Sequence, residues 1–213
     1  MIHFHIITLF PESIEGYLKS SIIGRAEKDK KIKISYYNPR DFTKDRHKRV
    51  DRRPYGGGPG MVLEAESVLR AVEKAVGKKK DVVTIFFSPG GKEFNTKVAK
   101  SLSKNAKHVV LIAGHYEGVD ARVRKILKAK EISVGPYVLT GGELPSAILI
   151  DATTRQIKGV LGNYSSLEEG RVASKDVYTR PEVFRWKGKE YKVPKVLLSG
   201  HHKEIEKWRH KKS

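Results

Sequence analysis

Cysteine is absent from the 213-residue sequence. Its absence excludes disulfides, thiol catalysis and cysteine-ligated zinc sites, and it is compatible with a reducing compartment, so we expect a cytoplasmic protein. Long hydrophobic runs are also absent, since no apolar stretch approaches the roughly 20 residues that a membrane-spanning helix needs. The apolar start of the chain is short and lacks a basic leader, which favours a buried strand over a signal peptide. We therefore expect no membrane association.

Acidic residues are scarce relative to basic ones. The chain has 24 Asp and Glu against 43 Lys and Arg, a formal net charge of +19 at pH 7. Such an excess favours a polyanionic partner, because each cation placed on a phosphate releases a condensed counterion. A lysine-rich solvated surface gives the same composition. Charge therefore predicts a nucleic-acid partner without indicating a reaction.

Short apolar runs alternate with amphipathic segments along most of the chain. Runs rich in Ile and Val predict strands at 3–9, 31–37, 82–87 and 109–113. Helical spacing predicts helices over 64–75 and 95–102, one starting near Asp120, and a short one over 203–211. This alternation predicts an α/β fold with a mostly parallel sheet and helices on both faces.

A basic and then glycine-rich stretch, 45–61, interrupts this alternation. Consecutive glycines allow another backbone or a ligand to approach closely. The preceding cations are suited to phosphates, and His47 or Tyr55 is suited to stacking on a base. A flexible surface loop is the alternative. The stretch matches neither the Walker A pattern nor Gly-x-Gly-x-x-Gly, so nothing supports a Rossmann-type nucleotide site.

Two further stretches, 111–120 and 134–145, place glycines after apolar strands. Open α/β sheets bind ligands at the carboxyl ends of their strands. Backbone amides and carbonyls there can recognise an adenine edge without charged side chains. Structural turns explain the same spacing equally well.

Nine sequence blocks, in order along nearly the whole chain, carry a resemblance. They are 8–11, 39–42, 51–61, 87–89, 114–120, 134–145, 159–162, 178–182 and 197–200. Through them the sequence resembles the bacterial tRNA (guanine-N1)-methyltransferase family, TrmD, of the knotted SPOUT superfamily. The resemblance implies a deep C-terminal trefoil knot. It also implies a homodimer with composite active sites, the methyl donor S-adenosylmethionine, and tRNA methylated at N1 of guanosine 37.

The resemblance also implies an organisation of the chain. Residues 1–162 correspond to the catalytic domain, 163–177 to a mobile linker or lid, and 178–213 to a shortened, basic, helical tRNA-binding segment. The donor-binding residues implied are Phe87, Ser88, Pro89, Gly114, Gly118, Val134, Gly135, Tyr137, Val138, Leu139, Gly141, Gly142 and Pro145. The RNA-binding residues predicted are Arg46, His47, Asp51, Arg52, Tyr55, Ser199 and His201.

The chemistry of guanine N1 sets the catalytic requirements. N1 carries a proton, so a carboxylate must act as general base. Negative charge then develops on O6, which a fixed cation stabilises. The resemblance assigns the second role to Arg155, and we also predict Glu117 to be catalytic. The family's essential linker aspartate has no direct counterpart.

Three carboxylates are candidates for the base in this shorter linker. Alignment from the left places Glu169 at the aspartate's position, with Glu168 beside it, whereas alignment from the right reaches Asp176. The chain also has His115 where the family usually has arginine, and Pro136 where an aspartate is common. The basic tail is expected to compensate for the shortened tRNA-binding segment through phosphate contacts.

We predict no metal site from the histidines, because His201 and His202 are adjacent and lack partners at ligand spacing. Magnesium assistance is possible by resemblance. Two other functions stay open. The knot and donor loops are shared by enzymes that methylate other RNA nucleotides, and a vestigial donor pocket would leave a non-catalytic RNA-binding protein.

Overall fold

A computed structural model describes residues 1–161 and 176–210. The chain divides into two compact units, residues 1–162 and residues 163–213. Within the described ranges, no helix combines the length and the apolarity needed to cross a membrane.

The first unit is built on a five-stranded sheet in the order β2-β1-β6-β5-β7. Its strands are β1 (Ile2–Ile7), β2 (Ile32–Tyr37), β5 (Val82–Glu93), β6 (His108–Ile112) and β7 (Lys130–Ser133). Every pairing in this sheet is parallel. The prediction of a mostly parallel sheet is therefore confirmed.

Helices cover both faces of the sheet. They are α1 (Glu12–Leu18), α2 (Ser21–Lys28), α3 (Ala65–Val76), α4 (Thr96–Asn105), α5 (Ala121–Leu127) and α6 (Glu143–Thr154). Alternate residues of each strand point to opposite faces. Phe4 and Ile6 accordingly pack into the core shared with α1, α2, α4 and α6, whereas Ile7 packs into the core shared with α3 and α5.

The predicted strand at 82–87 is longer in the structure. β5 continues to Glu93, with a register shift between Phe87 and Lys92 where it pairs with β7. The bulge lets Ser88 and Pro89 leave the ladder while the chain returns to the same neighbour. The Ser-Pro-Gly-Gly sequence favours a turn locally, so the strand's continuation depends on tertiary pairing with β7.

The segment 39–61, which includes the basic and glycine-rich stretch 45–61, is partly ordered by pairing. It contains a 3-10 turn at Pro39–Asp41 and β3 (Asp51–Arg52), which pairs antiparallel with β4 (Val62–Leu63). Val50 is fully buried at its base. The glycine-rich segment is thus the tip of a hairpin anchored in the core.

The second unit departs from the expected helical extension. It begins with an antiparallel hairpin of β8 (Val183–Trp186) and β9 (Lys189–Lys192), followed by α7 (Lys195–Leu198) and α8 (His202–His210). Lys187 and Gly188 both have positive φ, 50° and 75°, as a two-residue hairpin turn requires. The helix predicted near the end of the chain is confirmed as α8. The hairpin was missed because its exposed strands lack an alternating apolar face.

Candidate active site

A cavity of about 510 Å³ lies at the carboxyl ends of β5, β6 and β7. Its walls come mainly from residues 86–89, 114–119, 131–135 and 137–142. This volume is in the range of small-molecule sites. Most of the lining is glycine backbone and apolar side chain, so any polar recognition there depends largely on main-chain groups.

Backbone hydrogen bonds hold the 114–119 wall from two sides. The Gly142 amide donates to the Gly114 carbonyl at 2.8 Å, and the Glu117 amide donates to the Met61 carbonyl at 3.0 Å. Between them Tyr116 has a φ of 58°, a conformation that costs energy in a residue with a side chain. Such strain persists where the surroundings enforce it, and here the two anchors do so.

The two glycines before α6 are required by close packing. A Cβ on Gly142 would overlap the Ala113 backbone and lie 2.9 Å from the Gly114 nitrogen. A Cβ on Gly141 would lie 2.7 Å from His115 Nδ1 and collide with the Glu143 carboxylate. The start of α6 therefore approaches the end of β6 more closely than any side chain allows.

A buried polar group lies directly behind these glycines. Glu143 is 6% exposed, and its Oε1 accepts a hydrogen bond of 2.7 Å from the Thr8 hydroxyl. Its Oε2 lies 3.8 Å from His115 Nδ1, which has no hydrogen-bond partner among the described residues. The His115 ring packs 4.8 Å from Phe10. Thr8, Glu143 and His115, the polar support, fix the floor of the cavity.

Sequence reasoning missed two members of the polar support. Thr8 and Glu143 lie inside matched blocks but attracted no separate prediction. The available signal was a carboxylate at the start of a helix with an apolar middle, and α6 buries most of its side chains. A buried carboxylate needs a partner, but the sequence does not identify the strand residue that provides it.

All thirteen residues predicted to bind the donor line this one cavity, and Glu117 lines it as well. Segments that are far apart in the chain, around 88, 114 and 135–145, are brought together there. That these residues bind the donor stays a prediction.

Comparison with known proteins gives the family. The profile of the family described as "tRNA (Guanine-1)-methyltransferase TrmD" matches residues 2–213. A tRNA (guanine-N(1)-)-methyltransferase of Carboxydothermus hydrogenoformans is 48% identical over 98% of this chain and 81% of its own length. Relatives of the same name from Caldanaerobacter subterraneus and Dictyoglomus turgidum are 47% and 44% identical, over 99% and 100% of this chain and 86% and 85% of their own.

The chain belongs to the TrmD family. The resemblance stated from the sequence blocks is thereby confirmed, and the chain is a member of an enzyme family. The residue roles inferred from that resemblance are a separate matter, because a family match assigns no position.

Arg155 lies far from the cavity within a TrmD-family subunit. It caps the carboxyl end of α6, whereas Gly142 and Pro145 line the cavity at the amino end. Twelve helical residues span about 18 Å, which an arginine side chain does not bridge. Of the three candidate bases, Glu168 and Glu169 lie outside the described residues, and Asp176 lies in the second unit.

The predicted RNA contacts fall into two groups. Arg46, His47, Asp51, Arg52 and Tyr55 lie in the first unit, and Ser199 and His201 lie in the second. Tyr55 is fully exposed at the hairpin tip. Arg52 is less available than its sequence suggests, because its Nε donates to Glu64 at 2.6 Å.

The 45–61 stretch is internally braced at its start. The Arg49 guanidinium beside Asp45 holds the pKa of that carboxyl at about 2, well below its usual range. Arg46 donates from Nε to His47 Nε2 at 2.9 Å, and both side chains are exposed. The ion pair with Asp45 occupies Arg49, whereas Arg46 remains at the surface.

Proposed function

We propose that this chain transfers a methyl group from S-adenosylmethionine to N1 of guanosine 37 of tRNA. Membership of the TrmD family supports the reaction class. The observation that carries the donor assignment is the convergence of all thirteen predicted residues on one cavity at the carboxyl end of the sheet.

The cavity is suited to the donor. Glycine amides and carbonyls along 114–118 and 135–142 offer polar groups at close range, and Leu139 and Pro145 offer apolar surface for an adenosine. His115 also lines the cavity, and its buried Nδ1 lies 3.8 Å from the Glu143 carboxylate behind the wall. When bound, S-adenosylmethionine supplies an electrophilic methyl carbon on a sulfonium.

The chain's own residues prepare the guanine. A linker carboxylate, Glu169 by preference over Glu168 or Asp176, takes the proton from N1. The electron pair left on N1 would then be available to accept the methyl group that a bound donor would supply. The guanidinium of Arg155 stabilises the charge that develops on O6. Glu117 lines the cavity and faces the same space.

The position of Arg155 supports the proposal of a homodimer. Leu144, Ile148, Asp151 and Arg155 have the 4-3-4 spacing of one helix face. On this face, the α6 stripe, Leu144 and Ile148 remain 56% and 42% exposed. Apolar side chains grouped in this way favour coverage by a partner. In this proposal a second copy packs on the α6 stripe, and the Arg155 of each copy acts at the cavity of the other.

Complementation between two inactive variants tests this arrangement. Gly142→Val destroys the donor cavity, and Arg155→Ala removes the cation. If Arg155 acts across the dimer, a heterodimer of the two has one intact site, and subunit exchange restores about a quarter of wild-type turnover. Turnover is measured with labelled donor and a tRNA carrying guanosine 37. Arg155 acting within its own subunit predicts no restoration.

The base is identified by variants that keep the carboxylate's shape. Glu169→Gln, Glu168→Gln and Asp176→Asn are compared for turnover at saturating donor, with donor affinity measured by calorimetry. The variant that lacks the true base should lose ~100-fold or more in turnover, with unchanged donor affinity.

Mapping the methylated product discriminates between the proposed function and the two alternative functions. Methylation elsewhere in RNA indicates another target nucleotide, and absence of saturable donor binding indicates a non-catalytic RNA-binding protein.

Several expectations complete the proposal. Four further points stay predictions: the trefoil knot, the boundaries of the linker and tail, the cytoplasmic location, and assistance by magnesium. If magnesium assists, turnover should fall when a chelator is added. Phosphate contacts by the exposed hairpin tip and by the basic second unit predict steep loss of tRNA affinity with salt. A tRNA affinity that does not change with salt concentration would contradict these phosphate contacts.

A further inference from the structure

Contrary to the expectation from the sequence that the histidines form no metal site, we infer that His3, His5 and His108 form a binding site for a divalent transition-metal ion of the zinc class. One ring nitrogen from each histidine lies within 4.8 Å of those of the other two. This histidine triad lies at the amino-terminal end of the sheet, whereas the donor cavity lies at the carboxyl end. It is thus separate from the proposed methyl transfer.

The sheet itself brings the histidine triad together. His3 and His5 are two apart on β1 and therefore point to the same face. His108 is the first residue of β6 and pairs with His3 in parallel register. Ile7 and Val110, on the same face, pack against α3. His5 is fully buried, and His3 and His108 are partly exposed, which leaves an open side.

The spacing of the nitrogens suits a shared metal ion. His5 Nε2 and His108 Nδ1 are 3.2 Å apart. Two nitrogens bound to one tetrahedral zinc, at about 2.0–2.1 Å each, are separated by about 3.4 Å. These two atoms are therefore already near ligand separation. The ligand nitrogen of His3 lies within 4.8 Å of both, and the His3 ring must turn to bring it to the same ion.

Neighbouring hydroxyls hold the rings in place. His5 Nδ1 lies 3.3 Å from the Tyr37 hydroxyl, and His3 Nε2 lies 2.9 Å from Ser35 Oγ. Metal-binding histidines commonly use their second nitrogen in this way. The donor set contains no carboxylate, which favours zinc, copper or nickel over magnesium or calcium. Three protein ligands leave a fourth position for water.

Three lysines near the triad, Lys33, Lys79 and Lys107, oppose the ion, and Lys33 offers a way to test the site. Lys33 pairs with His3 across β1 and β2, and its charge acts on the His3 ring. Lys79 acts on the same rings, but its Nζ is also bonded to the Ala75 and Val76 carbonyls at the end of α3. Replacing the exposed Lys33 by Gln should tighten metal binding severalfold without changing a ligand.

Bridging β1 and β6 gives the ion a structural role. We expect it to raise thermal stability and to leave turnover unchanged, because the triad lies at the opposite end of the sheet from the donor cavity. The test uses the full chain without an affinity tag, treated with chelator and desalted. Zn²⁺ should bind at one ion per chain and raise Tm by about 5–10 °C at 100-fold excess over Kd. Mg²⁺ should do neither.

Co²⁺ reports the ligands directly. Visible absorption of the four-coordinate ion should appear at one equivalent and be displaced by Zn²⁺. His3→Gln and His108→Gln, at the exposed rim, should each weaken binding at least ~10-fold. His202→Gln, an exposed histidine of α8, is the matched control and should not. If His5→Gln fails to fold, His3→Gln and His108→Gln still test whether the triad binds the ion.

Two results would overturn the inference. Absence of a four-coordinate cobalt spectrum would leave the triad as a hydrogen-bonded set of neutral rings. Zinc affinity unchanged in both rim variants would place the ion on surface histidines elsewhere. Either result leaves the methyltransferase proposal intact, because turnover is assayed separately with and without zinc.

Discussion

The two ends of the central sheet are built on opposite principles. At the carboxyl end, Gly141 and Gly142 let backbone approach backbone so closely that a Cβ is excluded. At the amino end the strands are regular, and three imidazoles project from them. The first end offers main-chain groups to a ligand and the second offers side chains. Tolerance to substitution should therefore differ, because a backbone contact cannot be repacked by a rotamer change.

The largest effect is expected from Gly142→Ala. The added methyl overlaps the Ala113 backbone, so the start of α6 must move away from β6 and distort the cavity. We expect donor affinity and turnover to fall by ~100-fold or more, since displacements of about 1 Å have this effect in active sites. Calorimetry and turnover measure it.

Gly90→Ala is the matched control, because its Cβ would meet only Ser88 Oγ at 3.9 Å. Equal donor affinities for the two variants would show that the close approach at Gly142 is not what shapes the cavity.

A smaller effect is expected from Thr8→Val in the polar support. It removes the hydroxyl that donates to buried Glu143 and accepts from the Phe10 amide, while keeping the side chain's volume. Leaving a buried acceptor unsatisfied costs about 1–3 kcal/mol in the free energy of unfolding, measured with denaturant.

Thr8→Ser, which keeps the hydroxyl, is the control and should lose less. A Thr8→Val protein as stable as wild type would mean that Glu143 finds another donor.

The last effect, small over any single pH unit although it accumulates over several, is a pH dependence of stability from the histidine triad. Burial, with the charges of neighbouring groups, lowers the pKa of His5 to about 3 and that of His3 to about 4, from an ordinary 6.5. The unfolded chain therefore binds more protons below pH 6.5. Stability is full above pH 6.5 and falls as the pH drops towards 3, by about 1.4 kcal/mol per pH unit for each extra proton.

The change in the free energy of unfolding with pH is measured by denaturing chelator-treated protein at a series of pH values. His5→Gln should flatten it, whereas His202→Gln, on exposed α8, should leave it unchanged. Equal slopes in wild type and His5→Gln would show that His5 is not the group responsible.

The parts of the fold that were predictable are those with local signals. Apolar runs such as that of β6 and helical spacing such as that of α3 specify their elements without help from distant residues. The extension of β5 past Ser88 and the β8–β9 hairpin were not predictable in this way. The first depends on pairing with β7, and the second on a turn whose only mark is Lys187-Gly188.

By itself, the sequence determined the alternation of strands and helices, the positive charge and the ordered blocks that give the family. Only the tertiary structure placed thirteen scattered residues around one cavity, put Arg155 at the remote end of α6, and brought His3 and His5 beside His108. The reason is physical. Periodicity is a property of neighbours along the chain, whereas a site is set by the order and register in which parallel strands pair, and that order follows from packing the whole domain.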